Sequence, residues 1–100
     1  RGDINVSPLS VENVISEIPG VAEVAVVGAR HSFWGEVVVA CVIPREADVH
    51  ELQKRIHAEC MARLPANDRP DRVTIFHEFP RANGKVRKNV LRQFVENLND

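Results

Sequence analysis

Apolar residues follow two different spacings along this chain. Val11, Val14, Ile15 and Ile18 recur at three and four residues, the period of one buried helical face, and Ser7 followed by Pro8 supplies the cap and first-turn residue that start such a helix. Pro19-Gly20 stops it. Val21 to Val27 and Glu36 to Ile43 are instead dense in β-branched residues and bounded by Gly20, Gly28 and Pro44, which predicts two buried strands joined by the loop Ala29 to Gly35. A second helical face runs through Val49, Leu52, Ile56, Cys60 and Leu64, opened by Asp48 with Glu51 at capping-box spacing. Pro65 to Pro70 reads as a polar connection, Val73 to Phe76 as a third strand, and Val90, Leu91, Phe94, Val95 and Leu98 as a final amphipathic helix starting near Arg87 or Lys88. Gly2 to Val6 reads as a short extended arm. The fold class is therefore α+β, a small, mainly three-stranded sheet packed with helices plus the N-terminal arm, because that architecture hides every apolar stripe.

Composition narrows the function classes. At 100 residues, 44% apolar and 27% charged, the chain suits one modest core, with too little room for the enclosed cleft of a complete enzyme. The longest apolar run, Val37 to Ile43, is far short of the roughly 20 residues of a bilayer span. Both cysteines, Cys41 and Cys60, fall on predicted core faces, so reduced thiols and a cytoplasmic location are expected. His57 and Cys60 share a helix face, but two groups do not make a metal site, and none is expected.

The net charge of -1 hides a division, since the segment from Arg81 to Arg92 holds five basic residues and no acid. Such a local cluster points to a site; strands presenting aliphatic side chains, with no exposed aromatics, argue against nucleic acid. Asn83-Gly84 favours a turn with positive φ, which puts Lys85 just beyond a tight bend. Lys85, Arg87 and Lys88 then crowd a helix start, where the macrodipole disfavours cations, and a bound anion would relieve the conflict. Screening by water reduces that conflict to a few tenths of a kcal/mol per charge, so ordinary solvated cations remain the alternative. No nucleotide-hydrolase phosphate loop is present, because Phe79 stands where its first glycine belongs and Val86 follows the lysine. Phe33-Trp34 in the loop between strands is expected to fold back onto the core, the alternative being an anchor for a partner surface.

Three segments in order resemble the C-terminal subdomain of the adenylate-forming superfamily of acyl-CoA synthetases, nonribosomal-peptide adenylation domains and luciferases. Gly2-Asp3-Ile4-Asn5-Val6-Ser7-Pro8, with Val11-Glu12, resembles the subdomain's opening G-x-x-N-[IV]-x-P-x-E-[VI]-E; Trp34-Gly35-Glu36 and the valine-rich strand resemble its paired strands; Pro80-Arg81 and Gly84-Lys85-Val86-Arg87-Lys88 resemble its closing P-[KR]-T-x-x-G-K-[IV]-x-[RK]. Ala82 replaces the threonine in a loop one residue shorter, Asn67-Asp68 replaces an aromatic-lysine pair, and Ser10 replaces a glutamate. The resemblance implies that residues 1–100 form a single C-terminal lid of a larger enzyme, with the hinge and a large N-terminal adenylating domain upstream of Arg1. It further implies ATP, magnesium and CoA, or a phosphopantetheine carrier protein, as reactants of that parent. Lys85 would be the catalytic lysine of adenylation, Gly2, Asp3 and Ile4 would line the thiol's path, and Gly84, Arg87 and Lys88 would be cofactor-binding residues beside it, Arg87 and Lys88 through lid docking or by holding a distant phosphate. A non-catalytic module binding a protein or an anion is the alternative.

Overall fold

The structure, a computed structural model, describes residues 7–45 and 48–99. The predicted arm Gly2 to Val6 lies outside them. Ser7 opens helix α1 (Pro8–Ser16) from an extended conformation, its hydroxyl accepting from the Ser10 N–H, with proline in the first turn. The helix ends two residues before Ile18, which is still buried in the turn that follows. Gly20 then has φ +100°, and a Cβ there would come within 3.1 Å of Leu52 and Arg55, so both the turn and the close approach of the next helix require glycine.

Strands β1 (Val21–His31) and β2 (Gly35–Pro44) pair antiparallel from Val21 opposite Pro44 to His31 opposite Gly35. They run further than the valine-rich cores of the sequence, so the expected loop Ala29 to Gly35 contracts to the turn Ser32 to Trp34. Helix α2 (Val49–Arg63), capped by Asp48 through the Glu51 N–H, crosses back and delivers β3 (Arg72–Ile75) parallel to β2. That strand starts one residue earlier than its apolar pattern predicts, because Asp71 locks its entry: the Asp71 N–H donates to the Val38 carbonyl and its carboxylate accepts from the Val38 N–H. The expected polar connection contains a single 3-10 turn, Ala66–Asp68, and Arg69 donates from it to the carbonyls of Leu64 and Met61 at the end of α2. A two-residue ladder, β4 (Arg81–Ala82) with β5 (Lys85–Val86), precedes α3 (Lys88–Asn99).

Alternation along β1 and β2 divides the core in two. Val26, Val38, Ala40 and Val42 face α1 and α2, packing on Val11, Ile15, Leu52, Ile56 and Cys60. Ala25, Val27, Ala29, Val37, Val39 and Cys41 face the other way, toward Leu91 and Val95 of α3 and Phe79. The sheet is thus covered on both sides, which explains why its strands read as unbroken apolar runs without polar alternation. Both cysteines are free and buried, one in each half-core. Burial pushes the Cys41 thiol up to about 12, the nearby Lys88 charge only partly opposing it, and burial also raises Cys60.

Leu91 is fully buried between α3 and the sheet, whereas Leu98 on the same helix is exposed. Leu91→Ala should lower unfolding stability by about 2–5 kcal/mol through lost burial and the cavity left behind, and Leu98→Ala should stay within about 0.5 kcal/mol. Urea unfolding of the two variants checks the division, and equal losses would place α3 differently on the sheet.

Candidate functional site

The basic segment is carried by the β4–β5 hairpin and the first turns of α3. Asn83 and Gly84 take φ 54° and 82°, the pair of left-handed conformations that a two-residue hairpin turn needs and that Asn-Gly favours. The Arg87 N–H donates to the Pro80 carbonyl at 2.8 Å and closes the hairpin's base. Below it Phe79 is buried, edge-on to Phe76 at 5.8 Å between ring centroids, and Val86 packs on the same half-core. The base is therefore held by apolar contact while the tip, with Ala82, Asn83, Gly84 and Lys85, stands exposed to water. A continuous small ladder here was not foreseen in the sequence, where only the turn was visible.

Tertiary structure supplies acids to Arg81 and Lys88, and the next turn of α3 supplies one to Arg92. Arg81 pairs with Glu23 of β1 at 2.5 Å, Arg92 with Glu96 one helical turn on at 3.2 Å, and Lys88 with Glu12 of α1 at 2.7 Å. Lys88 is the first residue of α3, and the anion that its place at a helix start calls for is thus the chain's own Glu12 carboxylate. The same Glu12 oxygen accepts from the Val26 backbone N–H at 2.7 Å. Glu96 repeats the device on the other helix, accepting from the Arg30 N–H at 2.7 Å. That N–H, and to a lesser degree Arg92, hold Glu96 below the ordinary carboxylate range, so its contribution is present at neutral pH and is lost as pH falls through its lowered value.

Among the described residues Lys85 and Arg87 have no ionic partner, and both are exposed. The five basic residues of the segment thus divide into Arg81 and Lys88, which fasten the hairpin and the head of α3 to the body, Arg92, which pairs within α3, and the exposed Lys85 and Arg87. Gly84 sits beside Lys85 at the tip. Of the other predicted site residues, Gly2, Asp3 and Ile4 lie outside the described residues. No group of three or more His, Cys, Asp or Glu able to hold a metal is assembled among the described residues, and no helix among them is long and apolar enough to cross a membrane. Glu12 and Glu23 could not be read from local sequence as partners of this segment, because both pairs span more than 50 residues of chain.

The loop aromatics differ from expectation. Phe33 and Trp34 do not fold back onto the core but are 75% and 66% exposed, touching each other edge to face at 4.8 Å. Both faces of the sheet are already filled by helices, and the strands carry the turn past the end of the core.

Comparison with known proteins places this geometry. Residues 10–85 match the family described as AMP-binding enzyme C-terminal domain. Over 99 residues the chain is 42% identical to the indoleacetate–CoA ligase of Aromatoleum aromaticum, covering 94% of this chain and 18% of that protein. It is 40% identical to the long-chain-fatty-acid–CoA ligase FadD13 of Mycobacterium tuberculosis, covering 92% of this chain and 18% of that one. Its fold matches the crystal structure of ATP-bound MatB from Rhodopseudomonas palustris with a TM-score of 0.86 and 33% identity, over 99% of this chain and 20% of MatB. The chain therefore spans about a fifth of the length of these relatives.

Glu12 joins α1, the edge of β1 and the start of α3, and substitution separates its two bonds. Glu12→Gln keeps an oxygen for the Val26 N–H and loses only a partly exposed ion pair, an expected cost below about 1 kcal/mol. Glu12→Ala also orphans a part-buried donor and should cost about 1–3 kcal/mol. Denaturant unfolding of both variants, with Lys88→Met as the reference for the ion pair alone, reads the difference.

Proposed function

Because the chain belongs to the family of AMP-binding enzyme C-terminal domains, within the acyl-CoA synthetase, nonribosomal-peptide adenylation and luciferase superfamily, we propose that residues 1–100 are the mobile C-terminal lid of an ATP-dependent acid-thiol ligase. An acyl-CoA synthetase is the form favoured by the CoA ligases among its relatives. The observation that carries this reading is the exposed lysine without an ionic partner among the described residues, on a seated hairpin: Lys85 projects from a turn whose base is fixed by Phe79, Arg81 and Lys88. A long flexible stem with a point charge at its end suits phosphate, whose charge shifts during transfer. Docked against a large N-terminal domain, Lys85 would stabilise the charge that develops on phosphate as ATP and a carboxylic acid form an acyl-adenylate with loss of pyrophosphate.

The residues present fit such ligands. Gly84 allows a close backbone approach at the tip, and Arg87 at the hairpin's base adds positive charge behind it, while the charge of Lys88 at the head of α3 is offset by Glu12. Magnesium with ATP, and CoA or a phosphopantetheine carrier protein, are the proposed reactants of the parent, and a cytoplasmic setting accords with two reduced thiols. Gly2, Asp3 and Ile4 are proposed to line the thiol's route in a second lid orientation, a gating step that separates the two half-reactions. The exposed Phe33 and Trp34 favour one second reading, a non-catalytic interaction module anchored by that pair.

In the full-length parent, Lys85→Ala should slow acid-dependent adenylation by about 10²-fold or more and leave thioester formation from supplied acyl-adenylate nearly intact. Arg87→Ala should cost less, since water screens its more distant charge. Equal loss in both half-reactions, in a variant that melts normally, would reassign Lys85 to docking and favour the interaction module.

Gly2→Leu should show the opposite pattern. Carboxylate-dependent ATP-pyrophosphate exchange should persist while transfer to CoA fails, because a bulky side chain would block a backbone path that glycine leaves open. Retained transfer would remove the proposed thiol route.

A further inference from the structure

His31 takes no part in the chemistry proposed above. It ends β1, and its ring turns back over the turn that follows: Nδ1 accepts from the Phe33 N–H at 3.0 Å and from the Trp34 N–H at 3.2 Å. Two donors converging on one imidazole nitrogen fix its state, because a nitrogen that carries a proton cannot accept. Nδ1 is therefore bare and the ring hydrogen sits on Nε2. The two N–H groups so held belong to the aromatic pair, whose rings are exposed and meet at 87° with little besides each other for support. Gly35 closes the turn at φ +84°, a conformation that permits the bend without steering it. The histidine is thus the side chain that organises this tip from within.

We propose that His31 is a proton-operated latch on the aromatic tip. As the neutral imidazole it holds the Phe33 and Trp34 N–H groups and, through them, the orientation of both rings. A proton taken from water at Nδ1 turns the acceptor into a donor facing two donors, and the turn is released. Charged neighbours of both signs surround the ring: Glu36 of β2, with Asp71 and Arg72 at the start of β3, line a cavity of about 400 Å³ shared with His31 and Trp34. Arg30 of β1 and Arg92 of α3, the latter paired with Glu96, line a second cavity that His31 and Glu36 also share. The hydrogen-bond geometry decides which protonation state fits the closed turn. Release alters the wall that Trp34 gives the cavity and the surface that the tip presents. The latch does not depend on the ligase reading, since it rests on His31 and its own turn alone.

Nitrogen-15 spectra of the 100-residue chain test it first without any substitution. At about pH 8 the His31 Nδ1 should be unprotonated and Nε2 protonated, and between about pH 8 and 5, the range in which imidazoles change charge, the Phe33 and Trp34 amides should move on the imidazole's own titration curve. Emission from Trp34, the sole tryptophan, should follow the same curve. His31→Asn, whose amide oxygen can stand in for Nδ1, should keep the high-pH amide positions and show a flat response. His31→Ala should show the released positions at both ends of the range. A proton on Nδ1 at about pH 8, amides that stay fixed while the imidazole titrates, or a His31→Asn variant that responds as the wild type does would each overturn the latch.

Discussion

A sheet of three strands buried on both faces still has an open edge, and along β1 that edge is a row of backbone N–H groups with no strand beside it among the described residues. Such a row invites pairing with other chains unless something covers it. Here two carboxylates do so, Glu12 from α1 at Val26 and Glu96 from α3 at Arg30. Each bond joins a helix on a different face of the sheet to the same strand. The positions of α1 and α3 are thereby set relative to one line of backbone, and the hairpin that leads into α3 inherits its placement from that line.

The same arrangement accounts for the charge of the C-terminal segment. Five cations within twelve residues look like a patch when read in order, yet two of them face acids brought from elsewhere in the chain and a third pairs with Glu96 one turn further along α3. Exposed ion pairs of this kind contribute little to stability singly. Their larger effect is selective: by occupying Arg81, Lys88 and Arg92 they leave positive charge concentrated at Lys85 on the hairpin's tip and Arg87 at its base.

Much of this was legible in the sequence, and what was not has a common cause. Helix starts at Ser7 and Asp48, the turn at Asn83-Gly84 and the buried strands each follow from residues within a few positions of one another, where capping, φ preference and alternation act. The likeness to the adenylate-forming C-terminal subdomain also rested on local motifs, and the family match bears it out. The early start of β3, the acid partners of the basic segment and the exposure of Phe33 and Trp34 depend instead on contacts between distant parts of the chain. Asp71 meets Val38 and Glu12 meets Lys88 only after the strands have paired. Adjacent large aromatics suggest a core by their area alone, but the sequence does not show that helices have already claimed both faces.

The two buried thiols bear on chemoselectivity. In the proposed ligase an acyl-adenylate, a strong electrophile, waits for an external thiol while this domain turns over it. A surface thiolate on the domain would compete as acceptor and acylate the enzyme. Cys41, its ionisation pushed up to about 12, and Cys60, raised by the same burial, stay protonated and out of reach. In such a ligase, packing that serves the core would also keep the domain from being its own substrate.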